Sequence, residues 1–148
     1  MPEPARTPKQ RKIDTLYRLE YDKDLWIASS NSFGEPYLVP LSFWWNGKSL
    51  FVSTVLKNPT AQNILSTGKV RVALGHTRDV IIIGASAHVL ESNEIEECAD
   101  AFTKKCGWDP RISKGYRFFQ LELFRIEVWR EENEHADRLL MKDGEWLV

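Results

Sequence analysis

The chain has 148 residues, 28% of them charged, with a formal net charge of −1. That length suits one domain with a real core, and the charge balance excludes general nucleic-acid affinity, which needs a basic excess to neutralise phosphates. No apolar run approaches the length of a membrane span, and residues 1–12 lack the apolar segment of a signal peptide, so a cytoplasmic protein is expected.

Residues 1–12, proline-rich and basic at Arg6, Lys9, Arg11 and Lys12, read as a flexible arm, and 13–148 as one domain with a C-terminal extension. A helix overlaps the end of the arm, from Thr7 to about Tyr21, because Ile13, Leu16, Tyr17 and Tyr21 share one side at helical spacing. Asp24–Asn31 is a first strand and Phe33–Pro36 a turn. Tyr37–Trp45 is a second strand, apolar on both faces apart from Ser42. Asn46-Gly47 marks a hairpin, and Lys48–Thr54 returns as the third strand.

A short helix follows, with Thr67-Gly68 as its stop. Lys69–His76 alternates cleanly through Val70, Val72 and Leu74, and Val80–Leu90 is a fifth strand whose small residues around Gly84 permit curvature. Asn93 opens a helix with Glu96 in the capping-box position. Its buried side is Ile95, Cys98, Ala99, Phe102 and Cys106. Tyr116–Arg130 is the last long strand. Its apolar phase slips between Leu123 and Phe124, which predicts a bulge. Asp143-Gly144 suggests a terminal hairpin.

Cys98 and Cys106 are the only cysteines and stand too far apart along one helix to bridge, so both read as reduced thiols. With His76, His88 and His135 scattered, no metal site is expected. No catalytic residue stands out. His76 and the following Thr77-Arg78-Asp79 suit either an ordinary surface turn or a polar patch at a ligand mouth. The six tryptophans suit core filling, aromatic pockets or subunit interfaces.

Lys57-Asn58-Pro59-Thr60 can build an anion site. Asn58 suits an N-cap and Pro59 the first helical position. Free N–H groups of the new helix, with Lys57 and the Thr60 hydroxyl, would then hold a phosphate. The same residues also suit an ordinary capped helix with a surface lysine. Strands apolar on both faces need cover on both sides. A barrel supplies the inner core, and helices or a second copy of the chain must cover the outer face, so a homodimer is expected.

The ordered segment YLVPLSFWWNGKSLFVSTVLKNPTAQNILSTGKVRVAL, with the later VIIIGASAHVL and FRIEVWR strands, resembles the flavin-binding split-barrel family related to pyridoxamine 5'-phosphate oxidase. The resemblance covers roughly residues 12–130. It implies a mainly β, Greek-key-like split barrel with two or three peripheral helices, binding FMN in a homodimer and acting as an oxidoreductase on a small molecule. By the same resemblance, Pro40, Leu41 and Ser42 run beside the isoalloxazine ring, Ser53 and Thr54 face the ribityl chain or ring edge, and Lys57, Thr60 and Asn63 hold the phosphate. Trp129 and Arg130 match the late strand that reaches the flavin of the partner subunit. Each of these also has an ordinary structural role open to it, as strand hydroxyl or packing residue.

The chain departs from relatives that oxidise pyridoxamine phosphate. Leu56 precedes Lys57 where a paired basic motif is usual, and the C-terminus KDGEWLV lacks the arginine-rich ending. Pyridoxamine-phosphate oxidation is therefore not expected. Other relatives use a deazaflavin coenzyme, bind haem, or bind flavin without catalysis, and these alternatives stay open.

Overall fold

The computed structural model describes residues 3–148, so Met1 and Pro2 of the expected arm lie outside the described residues. Six antiparallel strands close into a barrel. They are β1 (Asp24–Ser30), β2 (Pro36–Trp45), β3 (Ser49–Val55), β4 (Lys69–His76), β5 (Asp79–Val89) and β6 (Tyr116–Trp129). The order is β3-β2-β1-β4-β5-β6, and β6 returns to pair with β3. Beyond β6 a small hairpin, β7 (Leu139–Lys142) and β8 (Glu145–Trp146), continues the sheet.

The helices are α1 (Pro8–Tyr21), α2 (Pro59–Thr67), α3 (Ser92–Cys106) and the single turn α4 (Glu132–His135). Leu25, Ile27, Phe43, Leu50, Val72, Ile83, Phe119 and Ile126 fill the barrel, and Ala61 and Ile64 of α2 join them. A second cluster lies outside, where Cys98, Ala99 and Phe102 of α3 cover Phe51 of β3 and Phe118 of β6. Six of the seven residues of β3 are consequently buried. A side chain such as Phe102, fully buried there, contributes about 1.5–3 kcal/mol.

The predicted slip in β6 is a bulge. Gly84 pairs with Arg125 and Ala85 with Leu123, leaving Phe124 as the extra residue. Its ring lies over Gly84, where an added Cβ would stand 3.1 Å from the ring carbons. The stop of α2 also follows the expectation, with Gly68 left-handed at φ 68° and its N–H bonded to the Ile64 carbonyl. Both cysteines are free, and burial, helped by Glu94 and Glu97, pushes the Cys98 thiol up to about 12.

Three local expectations need correction. The α1 helix forms as expected, but of its apolar stripe only Leu16 packs against the core, Ile13, Tyr17 and Tyr21 are exposed, and the inward face is Arg11, Thr15 and Leu19. Arg11 is 0% exposed because its Nη1 donates to the carbonyls of Val128 and Asp137, tying α1 to the end of β6. A buried guanidinium serving main-chain acceptors thus outranks the apolar periodicity. The cap of α3 is Glu91 paired with Glu94, not Asn93 with Glu96, so the helix starts earlier. Asn58 does occupy the N-cap of α2, but its side chain donates to Thr54 Oγ1 at 3.1 Å instead of capping.

The described part of the expected arm is anchored by Arg6. Its guanidinium contacts Glu134, Asp14 and Asp79, and α1 begins inside the segment assigned to the arm.

Candidate functional site

The start of α2 carries unused hydrogen-bonding capacity. Gln62 Nε2 takes the Leu56 carbonyl and Gln62 N–H takes that of Asn58. Among the described residues, no acceptor meets the backbone N–H of Thr60 or Ala61. The Thr60 hydroxyl is buried there and makes no hydrogen bond. A buried hydroxyl without a partner costs about 1–3 kcal/mol. Lys57 stands exposed at the same turn and forms no ion pair with any described residue. A cation, two free N–H groups and an orphaned hydroxyl therefore meet at one helix N-terminus, which favours an anion.

The other α2 residue of the expected set, Asn63, is turned to the barrel wall. Its Nδ2 donates to Ser29 Oγ at 3.0 Å in a buried contact that docks α2 on β1. Ser53 and Thr54 are buried at the end of β3. Ser53 Oγ donates to the Arg117 carbonyl at 2.9 Å, and Thr54 Oγ1 accepts from Asn58. Thr54 keeps its own proton free for a further acceptor.

On β2, Pro40 is exposed and pairs with Trp26 of β1, while Leu41 leans on the core. Ser42 Oγ donates to Asp24 Oδ1 at 3.0 Å. The outer face of β1 and β2 is apolar and open, with Trp26 49% and Leu38 60% exposed. Sequence reading missed Trp26 as a surface residue. The alternation of buried Leu25, Ile27 and Ser29 with outward Trp26, Ala28 and Ser30 was the available signal.

Trp129 and Arg130 lie elsewhere. Thr54 pairs with Arg117 and Val80 with Trp129, on opposite halves of β6, so roughly 40 Å of strand separates the two ends. Within one chain the expected residues thus form separate groups: the α2 turn, the outer face of β2, and the Trp129–Arg130 corner. The indole of Trp129 meets His135 edge-on at 5.2 Å, and Arg138 stands 5.9 Å from its centroid. Trp129 and His135, with Thr77, Arg78, Arg130, Glu131 and Glu132, line a cavity of about 230 Å³. His76 is exposed at the last position of β4, paired with Asp79 beside the Thr77-Arg78 turn.

Among the described residues no cluster of His, Cys, Asp and Glu is placed to hold a metal ion, and no helix is long and apolar enough to cross a membrane.

No protein-family model matches the chain, and no curated protein matches it. Solved structures do. A pyridoxamine 5'-phosphate oxidase candidate from Listeria innocua is 18% identical, with 82% of this chain and 96% of that one covered at a TM-score of 0.65. HutZ, the haem storage protein from Vibrio cholerae, is 15% identical over 90% of this chain and 96% of its own, also at 0.65. An FAD-binding protein from Mesorhizobium loti is 14% identical over 78% and 89%, at 0.62. An F420 reductase shares the fold as well. The chain therefore has the split-barrel fold of pyridoxamine 5'-phosphate oxidase-like proteins. At these identities the likeness establishes the fold, and the residues at the site must carry any statement of function.

Proposed function

We propose that the protein is an FMN-binding oxidoreductase acting on a small molecule, with the flavin phosphate held at the start of α2. The observation that carries this reading is the Thr60 hydroxyl, buried and unpartnered beside the free N–H groups of Thr60 and Ala61 and the exposed Lys57. These residues fit a phosphate: they offer donors and a positive charge, and no carboxylate pairs with Lys57 among the described residues. FMN, when bound, supplies the redox chemistry. The chain's own residues bind its phosphate, shield its ring along Pro40–Ser42, and donate from Thr54.

The open apolar face of β1 and β2 supports a homodimer, with the Trp129–Arg130 corner of one subunit serving the flavin of the other. The separation of the three residue groups within one chain makes a second subunit the means of completing the site. The expectation against pyridoxamine phosphate as substrate rests on Leu56, which precedes Lys57 where a second basic residue would stand, since a buried phosphate needs charge-assisted donors.

The absorption spectrum of the purified protein tests the reading. Flavin bands support it. A deazaflavin band or a Soret band assigns the fold's F420 or haem alternative instead, and both groups occur in the names of proteins with this fold. Turnover of pyridoxamine phosphate under oxygen would overturn the substrate exclusion.

A further inference from the structure

Arg130 borders two cavities. One, of about 260 Å³, lies under α1 and is lined by Arg6, Arg18 and Asp79; the other is the Trp129 cavity already described. The backbone at Arg130 is fixed, because its N–H donates to Glu134 Oε1 at 2.7 Å. Its guanidinium, however, is occupied by the chain's own N-terminal segment. Nη1 meets Glu3 Oε2 at 2.9 Å, Nη2 donates to the Pro4 carbonyl at 3.3 Å, and Asn133 Nδ2 holds the Glu3 carbonyl at 3.0 Å.

The segment is held very unequally along its length. At Arg6 the pair with Glu134 is buried, with side-chain exposures of 8% and 0%. At its tip the Glu3 side chain is 72% exposed. Buried pairs resist breaking, whereas exposed ones are weak and screened by salt. The tip can therefore leave Arg130 while Arg6 stays fixed. The neighbouring acid Glu131 is drawn to Arg78 at 3.6 Å and Glu132 also lines the cavity; a freed Arg130 guanidinium at this wall offers a planar donor fork suited to carboxylate or phosphate.

We propose that Arg130 is an anion seat for a phosphate or carboxylate group of an incoming ligand, and that the Glu3 carboxylate is its internal competitor. The proposal rests on the reading of Arg130 as ligand-facing. It does not depend on which cofactor the protein binds.

Inorganic pyrophosphate is the probe, titrated into the full chain at constant ionic strength while the ¹⁵Nε–H resonance of Arg130 is followed by NMR. Glu3→Gln removes the competing charge at an exposed position. It is expected to tighten pyrophosphate two- to fivefold, the span that an exposed ion pair supports. Arg130→Lys is expected to weaken binding, read from the neighbouring Asn133 side-chain amide, and to cancel the effect of Glu3→Gln in the double variant. Equal affinity in wild type and Glu3→Gln overturns the proposal. So does a failure of pyrophosphate to shift the Arg130 resonance at all. A parallel FMN titration separates the two readings: pyrophosphate binding with the Glu3 effect, but no flavin binding, leaves the anion seat standing and removes the flavoprotein assignment.

Discussion

Arg6 and Glu134, 128 positions apart in sequence, meet through two side-chain hydrogen bonds, Nε to Oε2 at 3.0 Å and Nη2 to Oε1 at 2.8 Å. The Arg6 backbone N–H adds a third bond to Oε2 at 2.7 Å. Burial alone would raise the Glu134 carboxyl. The bonds from Arg6 and from the Arg130 backbone outweigh it and hold the group at about 2, below its ordinary 4.5.

A pH dependence follows with a definite sign. A carboxylate depressed in the folded state contributes stability that is present above its unfolded pKa and lost as pH falls through the folded value. The contribution of Glu134 should therefore decline between about pH 4.5 and about pH 2. Glu134→Gln should cost about 3 kcal/mol at neutral pH, the low end for breaking a buried pair, since Asp14 and Asp79 still face Arg6. Urea titrations at pH 7, 4 and 2.5 check both points, and the variant should show a shallower acid slope.

Thr60 should separate stability from binding. Thr60→Val removes a buried hydroxyl that has no partner in the free protein, so the free fold should be unchanged or stabilised by up to ~1 kcal/mol. FMN affinity should fall in the same variant. Lys57→Ala should weaken FMN by roughly 1.5–3 kcal/mol while leaving riboflavin binding untouched. Fluorescence titration with both ligands reads the difference, and equal losses for the two would remove the phosphate from this turn.

The open face formed by Trp26 and Leu38 should disappear in solution. Sedimentation at low micromolar protein should report a dimer with or without cofactor. Leu38→Asp should shift it to monomer without changing the far-ultraviolet circular dichroism. A wild-type monomer that bound flavin tightly would contradict the shared site.

Lys105 Nζ is buried without a hydrogen bond, 3.7 Å from the centroid of Phe43. Burial lowers its pKa most, against the opposing influence of Cys106, Glu20, Asp22 and Asp24. The folded state then binds fewer protons than the unfolded state in the alkaline window just below 10.5, so stability should rise with pH there. Lys105→Met should abolish that rise. At pH 7 it should leave stability unchanged or raised by ~1 kcal/mol, because a buried ammonium without hydrogen bonds is replaced by an apolar side chain. Thermal melts from pH 7 to 10 compare the two proteins.

The bulge offers a double-mutant test. Gly84→Ala places a Cβ 3.1 Å from the Phe124 ring and should cost about 1–3 kcal/mol through overpacking. In the Phe124→Ala background the same change should cost much less. Additive costs would mean that the ring and the glycine are not in register.

The strands were legible because their signals are local. Asn46-Gly47 and Asp143-Gly144 sit at the hairpins between β2 and β3 and between β7 and β8, and the Leu123–Phe124 phase slip is the bulge itself. The inward face of α1 was not legible, because Arg11 is buried by carbonyls of residues 128 and 137 that no local window contains. The site was legible in part. The α2 N-terminus follows from Asn58-Pro59, but the turning of Asn63 to Ser29 depends on how α2 docks, and that is decided by the barrel. Glu91 is not legible as a cap, because glutamate is an uncommon N-cap residue.

β6 pairs with both β5 and β3, and this fixes the order in which a growing chain can finish itself. Until residues 116–129 have left the ribosome, five strands exist with two bare edges, and the helix covering Phe51 has no Phe118 to complete its contact. Contacts between residues so distant in sequence form late and slowly, and unpaired edges in the meantime invite association with other chains. Truncation within β6 should therefore yield insoluble protein, whereas β7 and β8 extend the sheet outside the closed ring and contribute to its core only through Leu140, Met141 and Trp146.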